Sequence, residues 1–255
     1  MRRVDITARS LAEAAALEAL SDVAAAIDDW DSVRIIGGQM VHIHTLLAGV
    51  TPRTRRTVDT DVVGTVAVIA SGNLEQRLLG VSGRGYEQRD GSRIARPLPS
   101  GHDAVIDLMV PSQTSGVRYN VPVGGFIVDA FPGLRTALVR ESETAEVHVT
   151  GLDGASRAPA VVAVPDLVGA IVVKALAAQR SGRDRDRTDV EHLLQCAAAT
   201  NIQLPAPTSD NLDYEKAAAY LHGPFVAGRS TTTARRRLVR QVVPHDPRPD
   251  PFPNL

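Results

Sequence analysis

The chain has 255 residues, 44% hydrophobic and 22% charged, which is enough apolar material for a sizeable core in one or two globular units and too much for a disordered chain. Its 28 basic and 29 acidic residues leave a formal net charge of -1, so no global field draws nucleic acid and any RNA contact must use local arginine patches. A single cysteine, Cys196, excludes an intrachain disulfide framework and a cysteine metal cluster.

The opening Met1-Arg2-Arg3-Val4-Asp5 leads into an amphipathic stretch rather than a signal sequence. No apolar run reaches the ~20 residues of a membrane span, so a cytoplasmic location without a membrane partner is expected. Residues 10–30 read as one or two amphipathic helices, and 33–36 as a short strand. Gly37-Gly38 follows, and 39–48 reads as a helix carrying His42 and His44 on different faces, unlike a zinc pair. Strands are expected at 58–63 and 105–110, a helix around 73–81, and a hairpin at 86–96 with Asp90-Gly91 at its turn, paired with the 105–110 strand. The Val, Thr and Gly of 121–164 suggest further strands, including 145–150 and 160–164, flanking a substrate cleft. From Pro165 the pattern turns helical, with helices at 165–179, 186–200 and 214–221. From 228 the Arg- and Pro-rich composition reads as a mobile tail. The expected organisation is a core over 1–164, a helical subdomain over 165–227 and a tail over 228–255.

Chemistry concentrates in a few of these segments. In a strand, residues i and i+2 share a side, so Asp59 and Asp61 present paired carboxylates on one face. Asp107 lies in the apolar run Ala104-Val105-Ile106-Asp107-Leu108-Met109-Val110, where an ionised carboxylate is costly unless something positive meets it. A solvated face is the competing reading for Asp59 and Asp61, and a buried arginine partner that for Asp107. Magnesium suits the trio, because it takes oxygen ligands from a few carboxylates plus substrate phosphates. Gly-Gly between strand and helix lets the backbone approach a ligand closely, and the free N–H groups at a helix start attract phosphate. In the helix from Pro165, Lys174 shares a face with Leu167, Ala170, Ile171 and Ala178 and interrupts its apolar stripe. It either snorkels to solvent or enters a cleft. The chain's only lysines are Lys174 and Lys216.

Together these segments resemble the AbiEii/AbiGii nucleotidyltransferase toxins of the polymerase-β-like superfamily, relatives of the mycobacterial tRNA-modifying nucleotidyltransferase toxins. The resemblance rests on Ile-Gly-Gly, then Arg55-x-Thr57-x-Asp59-x-Asp61, Val-Ile-Asp107-Leu, Lys174 and Arg185-Asp186-x-x-Asp189-Val190, and it spans residues 33–194. Many members of the superfamily carry Gly-Ser where this chain has Gly37-Gly38, and the late motif often begins with Lys in place of Arg185.

The resemblance implies an α/β fold of the α+β kind, with a mixed sheet, flanking helices and a C-terminal helical subdomain. It further implies transfer of a nucleoside monophosphate from an NTP to a hydroxyl, with Mg2+ or Mn2+ held by Asp59, Asp61 and Asp107. Gly37, Gly38, Arg55, Thr57 and Lys174 would hold the nucleotide, and Asp186 and Asp189 would either act on substrate or orient Lys174. The implied acceptor is tRNA or another RNA, with a separately encoded antitoxin as partner. An antibiotic adenylyltransferase and an inactive nucleotide-binding module use the same residues and stand as alternatives. Arg180, Arg183, Arg185 and Arg187 read as a solvated, ion-paired helix start, and Arg235 to Arg240 as a solvated basic tail.

Overall fold

The computed structural model describes residues 1–51, 57–114, 116–206, 212–227 and 233–244. Strand β1 (Arg2–Thr7) leads to α1 (Leu11–Ala26), whose start is fixed by Ser10 accepting from Glu13 N while Glu13 accepts from Arg9 N. Next come β2 (Val33–Ile35), α2 (Gly37–Leu47) and β3 (Thr60–Gly64), then the short helices α3 (Val66–Ala70) and α4 (Asn73–Leu78). The hairpin of β4 (Glu87–Asp90) and β5 (Arg93–Pro97) precedes the long β6 (Asp103–Pro111). A second hairpin, β7 (Arg118–Val123) and β8 (Phe126–Phe131), is followed by α5 (Arg135–Val139), β9 (Ser142–Thr150) and β10 (Ala160–Pro165). The C-terminal helices are α6 (Leu167–Ser181), α7 (Asp184–Ala199), α8 (Leu212–Tyr220) with a π-helical turn at Leu221–Phe225, and α9 (Thr233–Val242).

The main sheet is mixed and runs β2-β3-β6-β5-β4, with the β7–β8 hairpin attached through β8. β6 is its hub. It runs parallel to β3 with Asp61 opposite Asp107, and antiparallel to β5 with Arg93 opposite Asp107. Beyond Asp107 it exchanges β5 for β8, pairing Met109 with Asp129. Ala104, Ile106, Leu108 and Val110 alternate along β6 into the core, where α1 packs against the sheet. Asp107 and Met109 necessarily take the other face.

Several elements differ from expectation. Val4 and Ile6 alternate with polar neighbours, so the N-terminus forms β1, an edge strand parallel to β9. The strands at 142–150 and 160–165 join it in a separate three-stranded sheet, β1-β9-β10, and do not flank the cleft; β7 and β8 do. The expected tail holds α9, which seats Val239 and Val242 in the core with Val243 just beyond its end; Leu204 N donates to Val242 O, and Arg235 pairs with Glu191 over the Phe225 ring. The i, i+3 spacing of Val239 and Val242 supplies the buried stripe that composition alone obscures. Residues 245–255 lie outside the described residues.

α6 begins at Asp166, which accepts from Gly169 N at 2.8 Å and takes the forked guanidinium of Arg140. It ends at Gly182, left-handed at φ 61°. α2 is tied to the end of β10, just ahead of α6, where His44 Nε2 donates to the Pro165 carbonyl at 2.9 Å.

Candidate active site

α2 starts at Gly37 itself, so both glycines lie in the first helical turn instead of in a turn before the helix. Gly37 has φ +66°, and a Cβ there would fall 1.7 Å from Asp61 Oδ2. The absence of a side chain is therefore what lets the carboxylate lie directly on the helix start, beside N–H groups that have no partner within the helix. Ile36 N bonds Asp61 O at 2.9 Å and holds the approach.

Asp59 precedes β3, Asp61 lies within it, and Asp107 lies on the neighbouring β6. Oxygens from all three carboxylates lie within 4.8 Å of one another. From β5, Arg93 reaches over them. Its Nε is 3.3 Å from Asp107 Oδ1, its Nη2 3.1 Å from Asp107 Oδ2 and 4.0 Å from Asp59 Oδ2. The hydrogen bond to Asp107, with Asp59 and Asp61 adding their charge, raises the Arg93 pKa further above an already high value.

These groups open into a cleft of about 810 Å3, a size typical of small-molecule sites. The sheet supplies Asp59, Asp61, Asp107, Asp129, Met109 and Phe131 to its lining, and the helical segment supplies Lys174, Arg180, Arg183, Arg185 and Asp186. Arg180 lies over the Phe131 ring, 5.7 Å from its centroid, and Tyr119 meets the same ring edge-on. Three of the arginines expected on a solvated helix start thus face the cleft; Arg187 instead donates to the Pro224 and Phe225 carbonyls.

Lys174 does not snorkel. Its side chain is 7% exposed, with Nζ 2.8 Å from Asp189 Oδ2 and 3.9 Å from Asp186 Oδ1. Asp189 is fully buried beneath it, while Asp186 lines the cleft and accepts from Ser181 Oγ at 2.5 Å. Asp189 therefore stands in the position of a group that fixes the lysine. Gly37 lines the cleft, whereas Gly38 and Thr57 are buried without joining its lining among the described residues. Arg55 lies outside the described residues.

The sequence reading passed over two groups. Asp129 occupies the β8 run Phe-Ile-Val-Asp-Ala-Phe, the same signal of an acid in an apolar strand that marked Asp107; it accepts from Ser92 Oγ and Asn120 N. Arg93, on an exposed hairpin among 26 arginines, carries no such signal. By contrast Asp22, on the other face of the sheet, is saturated by Arg84, Tyr86 and Arg96 at 2.5–2.9 Å, the pattern of a structural acid.

A mixed sheet with flanking helices places the chain in the α/β class, and its fold is similar to that of a nucleotidyltransferase-like protein. Among solved structures it is similar to an antigenic nucleotidyltransferase-like protein from Paracoccidioides brasiliensis, 18% identical over 92% of this chain and 95% of that one, with a TM-score of 0.52. Comparison with protein-family models and with curated proteins finds no match. Among the described residues, no helix is long and apolar enough to cross a membrane.

Proposed function

We propose that the chain is a metal-dependent nucleotidyltransferase that moves a nucleoside monophosphate from an NTP to an acceptor hydroxyl and releases pyrophosphate. The observation that carries this reading is the convergence of Asp59, Asp61 and Asp107 within 4.8 Å beside the bare backbone of Gly37. The donor set fits Mg2+ or Mn2+, since three carboxylates offer only hard oxygen ligands and the site already attracts the cationic Arg93. When bound, such an ion neutralises charge on the reacting phosphate and lowers the pKa of the acceptor hydroxyl.

The remaining work falls to the protein. The α2 N-terminus offers backbone N–H groups to phosphate, and Lys174, held by Asp189, presents a fixed positive charge at the cleft. Arg180, Arg183 and Arg185 add cationic lining for the triphosphate, and Phe131, Tyr119 and Met109 give an apolar stretch for a base. Residues 1–164 act as the catalytic core and 165–227 as the helical unit that closes the cleft.

In the narrower reading the acceptor is RNA, the 3′ end of tRNA, and the protein is the toxin of a pair with a separate antitoxin. Exposed Arg183 and Arg185 at the cleft, with exposed Arg236, Arg237 and Arg240 on α9, support an RNA acceptor. A small amine-bearing acceptor, such as an antibiotic, is the second reading, favoured by Asp90 and Asp129 in the same lining. Incubation with each labelled NTP, magnesium and either total RNA or an aminoglycoside separates them. We expect label on RNA, lost in Asp59→Ala; label on the aminoglycoside alone selects the second reading, and equal labelling by the variant rejects the site.

A further inference from the structure

Arg93 is not among the residues that the motif resemblance matched, yet it bonds Asp107 of the acidic trio directly. Strand register explains its position: β5 sets Arg93 directly opposite Asp107, as β3 sets Asp61 on the other side, so one cation and two carboxylates form a row across three strands. Its fork engages both oxygens of Asp107, at 3.3 and 3.1 Å, and the same Nη2 reaches Asp59 at 4.0 Å. Any cation that takes an Asp107 oxygen as ligand must compete for lone pairs that the guanidinium now uses.

The two halves of the pair differ in freedom. The Asp107 side chain is 13% exposed and fixed in the middle of β6, whereas the Arg93 side chain is 49% exposed and projects from the first residue of β5, next to a register irregularity in the hairpin. Arg93 also lines the cleft. It is thus the member able to leave, and the space it swings through is the space a triphosphate would fill.

We propose that Arg93 is an exchangeable counter-cation. In the cation-free protein it neutralises Asp107 and Asp59, and entry of a divalent ion turns its guanidinium outward onto the phosphates of the bound NTP. This inference rests on the metal site proposed above. It identifies Arg93 as a substrate-binding residue and gives Asp107 a counter-charge before metal arrives.

The exchange makes two measurable quantities move in opposite directions. Removing Arg93 removes the competitor for the ion, so Mn2+ should bind about tenfold or more tightly to Arg93→Ala and Arg93→Gln, measured on the full chain by electron paramagnetic resonance of free manganese. The same variants should raise the KM for NTP by about tenfold, because a charge-assisted phosphate contact is gone. Arg93→Lys, which keeps the charge, should return manganese affinity most of the way to wild type while recovering KM only in part. Circular dichroism confirms that each variant is folded. Unchanged or weaker manganese binding in both neutral variants, with wild type binding normally, overturns the exchange. Tighter manganese binding with an unchanged KM overturns the phosphate contact. Wild-type protein that binds no manganese overturns the metal site itself, and the exchange with it.

Discussion

Alanine substitutions at the two ends of α2 form a matched pair. Gly37 and Gly49 flank the helix with φ of +66° and +65°, so a side chain at either meets the same left-handed backbone, a strain of about 1–2 kcal/mol. They differ in one respect. A Cβ at Gly49 meets nothing within 4 Å, whereas at Gly37 it would fall 1.7 Å from Asp61 Oδ2 and 2.5 Å from its Cγ. No Cβ tolerates such an approach, and Asp61 Cβ itself would lie only 2.8 Å away, so the carboxylate must leave the trio and the backbone of α2 or β3 must also shift. At about 2–4 °C per kcal/mol for a chain of this size class, Gly49→Ala should lower Tm by about 2–8 °C and leave nucleotidyl transfer near wild type. Gly37→Ala should show a larger loss of stability, because the overlap with Asp61 adds to the same strain, with transfer reduced by about 100-fold or more, the scale of disturbing a metal ligand. Differential scanning calorimetry and labelled-NTP transfer read the two effects separately. If Gly37→Ala retains activity equal to Gly49→Ala, the trio does not depend on the bare backbone and the reasoning fails.

Lys174→Met removes the Nζ contact that the buried Asp189 accepts at 2.8 Å and should lower stability in urea unfolding, while Lys174→Met combined with Asp189→Leu should regain most of that loss without regaining transfer. A single variant as stable as wild type would refute the pairing. Burial pushes the His44 imidazole below its usual 6.5, so the fold holds it neutral. Its contribution is complete above pH 6.5 and declines as pH falls below that value, because the unfolded chain binds a proton that the folded chain refuses. Chemical denaturation at pH 7.5 and 5.5 should show this decline, reduced in His44→Gln; an equal decline in the variant would assign it elsewhere. Val242→Ala in α9 should cost about 2 kcal/mol by removing buried methyl groups, and a negligible loss would mean that the helix is an appendage.

Much of the site could be read from the chain because its signals are local. Asp-x-Asp on a strand, an acid inside an apolar run and a glycine at a strand–helix junction each depend on a few consecutive residues, and the positions of Asp59, Asp61, Asp107 and Gly37 follow from them. What escaped depends on pairing between distant segments. Arg93 gains its place only through the β5–β6 register, and Arg180, Arg183 and Arg185 look like an ordinary solvated face until α6 and α7 fold against the sheet. β1 was visible as alternation of Val4 and Ile6, yet its role required a parallel partner more than a hundred residues away. α9 was hidden by composition, since a helix with an arginine-rich exterior buries few apolar residues.

The hollow itself has a different origin from the groups that line it. β6 changes neighbours just past Asp107, from β5 to β8, and adjacent strands that part company leave a crevice whatever side chains they carry. Replacing every acid there would silence the chemistry and spare the cavity. A descendant of this chain that lost its carboxylates would inherit a ready-made socket, open to whatever ligand its new lining came to suit.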